Sequence, residues 1–229
     1  MRLAVIPARG GSKRIPRKNI KSFCGKPMIA WSIEAALASG CFDRVVVSTD
    51  DPEIAEVAKS AGAETPFVRP ADLSDDHAGT LPVIAHAIRW FQDAGEEPKE
   101  VCCIYATAPF VQPQDLVAGL ETLLTAGADY AFSATAYPFP IQRAFRLTGT
   151  GGAEMANPEQ FSTRSQDLEE FFHDAGQFYW GTLQAWLEER PVFSPMSRPI
   201  ILPRDRVEDI DTPEDWRRAE WLFQALRAQ

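Results

Sequence analysis

Residues 3–19 read Leu-Ala-Val-Ile-Pro-Ala-Arg-Gly-Gly-Ser-Lys-Arg-Ile-Pro-Arg-Lys-Asn. The apolar start, residues 3–6, has the composition of a buried strand. Gly10 and Gly11 let the backbone that follows bend sharply and approach a ligand closely. The loop carries five cations that provide the counter-charge a polyphosphate needs: Arg9, Lys13, Arg14, Arg17 and Lys18. The stretch therefore predicts a first strand followed by a loop that holds a nucleoside triphosphate.

Two familiar phosphate motifs are missing from this loop. It contains neither Gly-x-x-x-x-Gly-Lys-Ser/Thr nor Gly-x-Gly-x-x-Gly, so it indicates neither a P-loop NTPase nor a dinucleotide-binding protein. A basic surface loop that only aids solubility is the simpler alternative. It is less favoured, because solvated charge runs rarely stand between a buried strand and a helix with two glycines at the turn.

The composition is that of an ordinary globular protein. The 229 residues suffice for one large α/β domain, and 45% of them are hydrophobic. The net charge of -9 argues against nucleic acid as the main partner, and no apolar run is long enough to span a membrane. The four cysteines match neither a disulfide framework nor a zinc site, which favours a reducing, cytoplasmic setting.

Strand-like and helix-like segments alternate along the first half of the chain. The pattern predicts helices over residues 27–39, 52–61, 80–91, 113–125, 182–189 and 213–226. It predicts strands at residues 3–6, 44–48, 65–68, 101–105, 130–135, 177–180 and 199–202. This order is typical of a doubly wound α/β fold with a mostly parallel sheet, in which ligands bind beyond the carboxyl ends of the strands.

The alternation stops at Tyr137-Pro138-Phe139-Pro140. From there to about residue 174 the chain has few helix signals and a glycine-rich turn at residues 149–152. We interpret residues 139–174 as a small lobe or hairpin inserted into a single domain that covers residues 1–229.

A second informative segment, residues 209–215, reads Asp-Ile-Asp-Thr-Pro-Glu-Asp. In an extended chain, residues two apart project from the same face, so Asp209 and Asp211 point together. Paired carboxylates are suitable ligands for Mg²⁺. Capping of the last helix by Thr212 and Asp215 is the alternative, but it leaves Asp209 without a role.

Other polar segments give weaker signals. Arg69, Asp76, Ala78 and Thr80 lie in or just after a polar loop before a helix, where backbone amides can meet a base or phosphate, but turn and capping roles explain them equally well. Residues 163–167 and 173–177 are rich in groups that bind polyhydroxylated ligands, although by themselves they are typical of solvated loops.

Together these motifs resemble the cytidylyltransferases that activate nine-carbon acidic sugars, the CMP-sialic acid synthetase group, over nearly the whole chain. The resemblance depends most on residues 8–13, 18–19, 69–73, 76–80 and 209–211. Within that group, residues 102–110 and 173–181 are most similar to the branch that acts on pseudaminic acid. Sialic acid synthetases usually have Gln-Pro-Thr-Ser-Pro where residues 105–109 stand, and Asn-Gly-Ala near residues 174–176, so this chain differs on the sugar side.

The resemblance implies a glycosyltransferase-A-like nucleotidyltransferase fold and the reaction of CTP with a sugar acid to give a CMP-sugar and pyrophosphate. It implies a homodimer in which the inserted lobe reaches over the partner's active site. The implied nucleotide-binding residues are Arg9, Gly10, Gly11, Ser12, Lys13, Lys18, Asn19, Arg69, Asp76, Ala78 and Thr80. The implied sugar-binding residues are Tyr105, Thr107, Arg164, Gln166, Asp174 and Gln177. The implied Mg²⁺ ligands are Asp209 and Asp211, and the implied catalytic residues are Arg9, Lys18 and Asp211, the last as the proton acceptor.

Other functions stay open at this point. Within the family, the sugar can be pseudaminic, legionaminic or sialic acid. A glycosyltransferase that consumes a nucleotide sugar also uses this fold with an Asp-x-Asp pair, and a non-catalytic nucleotide-binding module is a third interpretation. The strongly basic loop favours a triphosphate substrate over a diphosphate sugar.

Overall fold

The computed structural model describes residues 1–75 and 78–228. The strands are β1 (Arg2–Pro7), β2 (Ser22–Phe23), β3 (Lys26–Pro27), β4 (Arg44–Ser48), β5 (Glu100–Ile104), β6 (Tyr130–Ala136), β7 (Phe145–Leu147), β8 (Ala153–Met155), β9 (Phe172–Thr182) and β10 (Ser197–Ile201). The α-helices are α1 (Met28–Ser39), α2 (Pro52–Ser60), α3 (Thr80–Asp93), α4 (Pro113–Ala126), α5 (Leu183–Leu187) and α6 (Pro213–Arg227).

Six strands form the central sheet in the order β10-β6-β9-β5-β1-β4. Strand β1 is parallel to β4 and β5, and β10 is parallel to β6. Strand β9 runs antiparallel to both of its neighbours, β5 and β6. The α/β class with a mainly parallel sheet is confirmed, with one reversed strand in the interior of the sheet.

Helices cover both faces of this sheet, as the alternation of strand and helix predicts. Helices α1, α2 and α4 pack on one face, where they contact the side of β1 that carries Ala4 and Ile6. Helices α3 and α5 pack on the other face, against Leu3 and Val5. Burying both faces explains why these strands are almost continuously apolar. Of the helices in the described ranges, none is both long and apolar enough to cross a membrane.

The helix ends follow their local chemistry. Asp51 caps α2 by accepting hydrogen bonds from the amides of Glu53 (2.9 Å) and Ile54 (3.0 Å). Gly40 ends α1 in the left-handed conformation, with φ of 66°. Both residue types favour the helix ends at which they stand.

The strand expected at residues 65–68 does not form, and that prediction is wrong. Only Glu64 pairs with the sheet, through one bridge to Val46. Pro66 follows two residues later, and because proline has no N–H to donate it cannot continue the ladder. The chain instead crosses the end of the sheet toward Arg69.

The two ends of the chain meet in a third apolar cluster beside the sheet. The short β2–β3 hairpin, which the sequence did not reveal, supplies Phe23, which contacts Trp216 and Phe223 of α6 edge to face. Ile210 is 2% exposed and belongs to the same cluster. Burial of Ile210 fixes the segment that carries Asp209 and Asp211.

Between β6 and β9 the chain leaves the sheet. Strands β7 and β8 pair as a small hairpin closed by a turn in which Gly151 has φ of 82°. Several large side chains here are exposed: Phe139 by 79%, Phe145 by 63%, Leu147 by 75% and Phe161 by 76%. This apolar surface accompanies the inserted lobe that the sequence predicts, although β9 already begins at Phe172.

Candidate active site

A cleft of about 540 Å³ lies at the end of the sheet where β1 and β5 terminate. We call it the first cleft. It is lined by Pro7, Arg9, Ser12, Lys13, Arg14, Lys18, Asn19, Arg69, Ala78, Gly79, Thr80, Val83, Tyr105, Ala106, Thr107 and Asp211. The basic loop, the start of α3, the residues after β5 and one aspartate of the far segment therefore share one cavity, at the position where parallel sheets bind ligands.

Internal hydrogen bonds hold the basic loop in shape. The side-chain amide of Asn19 donates a hydrogen bond to the backbone carbonyl of Arg9 (3.0 Å). The hydroxyl of Ser12 donates to the backbone carbonyl of Ile15 (2.6 Å). The amide of Gly10 donates to Asp50 Oδ1 (3.0 Å). The loop is therefore ordered by the protein's own contacts.

Gly10 and Gly11 differ in what they require. A Cβ on Gly10 would lie 2.6 Å from Oδ2 of Asp51, closer than real contacts allow. A Cβ on Gly11 would have no atom within 4 Å. Close packing thus explains glycine at position 10 only.

Arg17 departs from its expected role as counter-charge for a ligand. Its guanidinium hydrogen-bonds both carboxylate oxygens of Asp51 and also reaches Glu53. These contacts attach the loop to α2, and Arg17 does not line the first cleft. The hydrogen bond from Arg17 is the main cause that lowers the pKa of Asp51.

The far segment meets the basic loop directly. Lys18 Nζ donates to the carbonyl of Ile210 (2.7 Å) and lies 3.3 Å from Asp211 Oδ1. Arg14 approaches Asp211 Oδ2 at 2.8 Å. The cations near one end of the chain and the aspartate near the other thus share a cleft, which is the arrangement a metal–triphosphate site needs.

The acidic segment can cap helix α6 and still offer two carboxylates to a ligand. Thr212 and Asp215 form a capping box at the start of α6. Asp215 Oδ2 accepts from the amides of Thr212 (2.7 Å) and Asp211 (3.1 Å). Because Asp215 does the capping, the carboxylates of Asp209 and Asp211 are left for other contacts.

Asp209 lies in an environment that favours a cation. Partial burial, followed by the negative charge of Asp211, raises its pKa. Within residues 1–75 and 78–228 its carboxylate makes no hydrogen bond or ion pair. The described residues contain no group of three or more His, Cys, Asp or Glu side chains arranged around a metal position. The pair therefore fits a hard divalent ion such as Mg²⁺ that takes its other ligands from substrate and water.

Arg69 is held at one wall of the first cleft and is only 5% exposed. Its Nη2 donates to the carbonyl of Ser48 (2.6 Å), its backbone amide donates to that of Thr49 (2.9 Å), and its Nε has no partner among the described residues. Burial is the main cause that lowers its pKa to about 10. The side chain still carries its charge at neutral pH, so it can bind a polar group of a ligand.

A second cleft of about 560 Å³ adjoins the first, and Tyr105 lines both. The second cleft is lined by Tyr105, Thr135, Ala136, Pro138, His173, Asp174, Ala175, Gly176, Arg204, Val207, Glu208, Asp209 and Arg218. Asp174 accepts a hydrogen bond from the hydroxyl of Tyr179, whose pKa is raised mainly by burial. Asp211 lines the first cleft and Asp209 the second, so the carboxylate pair stands at their boundary.

Comparison with known proteins identifies the family. Residues 3–207 match the family model described as "Cytidylyltransferase". The chain is 49% identical over 221 residues to the pseudaminic acid cytidylyltransferase of Campylobacter jejuni, covering 96% of this chain and 95% of that protein. The chain belongs to the cytidylyltransferase family.

One further relative supports this assignment, and a solved structure supports the fold. The CMP-N,N'-diacetyllegionaminic acid synthase of Legionella pneumophila is 32% identical over 229 residues, covering 97% of this chain and 96% of that protein. A solved structure of a CMP-2-keto-3-deoxy-manno-octonic acid synthetase with CTP superposes with a TM-score of 0.71 over 98% of each chain. Because this structure is only 18% identical in sequence, it supports the fold of the cytidylyltransferase and nothing more specific.

The structure of the cytidylyltransferase brings most candidate nucleotide residues together. Arg9, Ser12, Lys13, Lys18, Asn19, Arg69, Ala78 and Thr80 all line the first cleft, beside Thr107. Asp76 lies outside the described residues. The implied nucleotide-binding set omitted Arg14, Gly79 and Val83, which also line this cleft. The loop charge pointed to Arg14 and the segment 76–80 contains Gly79, whereas no pattern marked Val83.

The candidate sugar residues are more scattered. Tyr105 and Asp174 line the second cleft. Gln177 is 3% exposed within β9, lines neither cleft, and donates from Nε2 to the carbonyl of Arg206 (2.5 Å). Arg164 and Gln166 are exposed on the inserted lobe, where Arg164 pairs with Asp167 (2.8 Å). Neither lobe residue lines the first or the second cleft.

Proposed function

We propose that this cytidylyltransferase transfers CMP from CTP to pseudaminic acid and releases pyrophosphate. The observation that carries the proposal is the pair of adjoining clefts, one basic and one carboxylate-bearing, with Asp209 and Asp211 at their boundary. The sugar assignment is supported by 49% identity to a pseudaminic acid enzyme, against 32% to a legionaminic acid enzyme.

In this proposal the first cleft binds CTP. Arg9, Lys13 and Lys18 neutralise the triphosphate, with the loop amides and Ser12 fixing its position. Arg69 and the backbone near Ala78 contact the cytosine. Since the loop is already ordered by its own hydrogen bonds, little reorganisation accompanies nucleotide binding.

The sugar binds in the second cleft, next to Asp174. Its anomeric hydroxyl attacks the α-phosphorus in line, the bond to the bridging oxygen breaks, and pyrophosphate leaves with the bonding electrons. Lys18 and Arg14 stand where negative charge develops on the phosphate oxygens.

The hydroxyl proton needs an acceptor. Asp211, which the family resemblance implies for this role, already has both oxygens engaged by Lys18 and Arg14. Asp209 has no such partner among the described residues and lines the second cleft, so it is the better-placed acceptor.

Magnesium dependence forms part of the proposal. Asp209 and Asp211 would hold the ion, Asp211 in exchange for its contacts with Arg14 and Lys18, and Asp209 through the carboxylate oxygen that does not accept the proton. Bound Mg²⁺ would supply charge neutralisation for the transferred phosphoryl group. The raised pKa of Asp209 and its missing partner among the described residues support this role.

We further propose a cytoplasmic homodimer that associates through the inserted lobe. Exposed Phe139, Phe145 and Phe161 on the lobe support an interface, because a surface of this kind is stabilised when a partner covers it. All four cysteines are free thiols, which supports a reducing compartment.

A pyrophosphate-release assay with CTP, Mg²⁺ and a panel of pseudaminic, legionaminic, sialic and 3-deoxy-octulosonic acids tests the function. We expect the highest kcat/KM with pseudaminic acid. Release of UDP or CMP from a nucleotide sugar, with no pyrophosphate from CTP, would point to a glycosyltransferase instead. CTP binding without any turnover would indicate a non-catalytic module.

A further inference from the structure

Strand β9 contains a bulge at the edge of the second cleft. Tyr179 is the partner of Phe132 in β6. The partner of Ala134, two residues further along β6, is Asp174, which lies five residues from Tyr179. In a regular strand, residues five apart point to opposite faces of the sheet. The bulge adds three residues to β9, and because this number is odd, the side chains of Asp174 and Tyr179 can meet.

Ser133 of β6 holds this bulge in place. Its side chain is fully buried, and its hydroxyl oxygen accepts hydrogen bonds from the backbone amides of Gln177 (3.2 Å) and Phe178 (3.1 Å). The carbonyl of Gln177 in turn accepts from the backbone amide of Tyr105 (2.9 Å). The bulge is therefore fixed by the sheet, and it helps to fix the backbone of Tyr105, whose side chain lines both clefts.

A row of hydroxyl groups leads from the bulge to helix α3. Asp174 Oδ2 accepts a hydrogen bond from the hydroxyl of Tyr179. The hydroxyls of Tyr179 and Tyr105 are also hydrogen-bonded, and their ring centroids lie 5.3 Å apart. The hydroxyl of Tyr105 lies 3.4 Å from Oγ1 of Thr80, the first residue of α3. All four side chains line a cavity of about 280 Å³. We call them the hydroxyl chain; it joins a carboxylate in the second cleft to a hydroxyl in the first.

The carboxylate of Asp174 gives the hydroxyl chain a direction. A hydroxyl has one proton to donate, and an ionised carboxylate can only accept. Since Tyr179 gives its proton to Asp174, Tyr105 donates to Tyr179 and Thr80 donates to Tyr105. The oxygen of Thr80 then remains as an acceptor in the first cleft, where an N–H or O–H group of a nucleotide can donate to it. Such a donor strengthens every hydrogen bond further along the chain.

Tyr179 is the link of the chain that touches neither substrate cleft. It is buried, and it lines neither the first nor the second cleft. Asp174 Oδ1 is held separately by the backbone amide of Gly176 (2.8 Å), so Tyr179 orients only the other oxygen. Loss of the Tyr179 hydroxyl would thus leave the carboxylate in place and disconnect it from Tyr105 and Thr80.

We propose that Tyr179 is a positioning residue that couples the nucleotide cleft to the sugar cleft through the hydroxyl chain. This inference rests on the proposed function. A nucleotide that donates to Thr80 orders the hydroxyls of Tyr105 and Tyr179. A sugar that contacts Tyr105 or Asp174 then meets groups that are already ordered, and it binds more tightly for that reason. By linkage, the sugar strengthens nucleotide binding by the same factor.

The coupling is measured by calorimetric titration of the enzyme with pseudaminic acid, with and without α,β-methylene CTP, an analogue that cannot release pyrophosphate. In wild type the analogue should tighten sugar binding at least about fivefold, the lower end of typical coupling between two sites. Tyr179→Phe keeps the ring and removes the hydroxyl, so this factor should fall toward one while the affinity for the analogue alone stays unchanged. Thr80→Val removes the hydroxyl at the other end of the chain and should abolish the coupling as well.

Tyr130→Phe is the matched control. Tyr130 is fully buried and lines neither cleft, and its hydroxyl donates to the carbonyl of Ala185 (2.8 Å). This variant should keep the wild-type coupling. Wild-type coupling in folded Tyr179→Phe or Thr80→Val would overturn the proposal, as would a wild-type enzyme that turns over both substrates without any coupling. A wild-type enzyme that releases no pyrophosphate from CTP with any sugar acid would instead refute the proposed function.

Discussion

Replacement of Lys18 by Met tests the contact that joins the two ends of the chain. Lys18 is mostly buried, and its ammonium bonds to the carbonyl of Ile210 at 2.7 Å and to Asp211 at 3.3 Å. Methionine keeps the length of the side chain and removes the charge. Loss of a preorganised donor at a site of developing charge lowers kcat about 10²- to 10³-fold, equivalent to about 2.7–4 kcal/mol.

The effect on stability should be much smaller. Loss of one hydrogen bond that involves a charged group costs about 1.5–3 kcal/mol. In a chain of this size each kcal/mol lowers Tm by about 2–4 °C, so Lys18→Met should stay folded at assay temperature. Pyrophosphate release at saturating CTP and sugar, together with thermal unfolding, measures both effects.

Two further variants make the result decisive. Lys59→Met is the control, since Lys59 is half-exposed on α2 and pairs only one turn away with Glu56 (2.8 Å). The double variant Lys18→Met/Asp211→Asn separates two roles, because a lysine that acts only by holding Asp211 adds nothing once Asp211 is changed. A folded Lys18→Met enzyme within threefold of the wild-type rate would refute the reasoning.

Three other predictions follow from packing and charge. Gly10→Ala should lower kcat/KM for CTP at least tenfold, because its Cβ would lie 2.6 Å from Asp51 and displace the loop. Asp115→Asn should lower the free energy of unfolding, measured in urea, by about 3 kcal/mol, because it leaves the mostly buried Arg206 guanidinium without its charge partner. Arg17→Met should cost about 1 kcal/mol at pH 7, an effect that shrinks as the pH falls through the lowered folded-state pKa of Asp51.

Each of these three has a matched control. Gly11→Ala should leave CTP kinetics unchanged, since no atom lies within 4 Å of its Cβ. Glu121→Gln changes an exposed carboxyl of the same helix as Asp115 and should leave the urea midpoint in place. The pH dependence of the Arg17 variant follows from the pKa of Asp51. A carboxyl whose pKa is lower in the folded than in the unfolded protein stabilises the fold at pH values above its unfolded-state pKa. A deficit of Arg17→Met that grows toward acid pH would contradict this account.

Local sequence signals were sufficient for much of the fold. Asp51 and Gly40 are residue types that favour the helix ends at which they stand, and the strand predicted at residues 3–6 places successive side chains on opposite faces of the sheet. Cys102 and Cys103 are adjacent in the strand predicted at residues 101–105, and each lies in a different apolar cluster, as neighbours in a strand must. These features depend on neighbours in the sequence, which is why they were readable.

Features that depend on the tertiary topology of the chain could not be predicted from the sequence. The direction of β9 depends on how residues 137–171 return to the sheet, and no local pattern encodes that route. Gln177 stands at the start of the strand predicted at residues 177–180 and beside a polar segment, so it was a sugar-binding candidate, yet the reversed strand β9 buries it. Arg204 gave no signal, because its place in the second cleft depends on the order of β10, β6 and β9.

The contact between Lys18 and Ile210 joins residues 192 positions apart. Local opening of a protein follows cooperative structural units, and a unit outside the main core can open at a lower free energy than the core. Ile210 belongs with Trp216 and Phe223 of α6 to the third apolar cluster, which is separate from the two clusters that cover the faces of the sheet. Thermal inactivation should therefore precede melting of the sheet, and the gap between the two temperatures would measure how independently the C-terminal helix can detach.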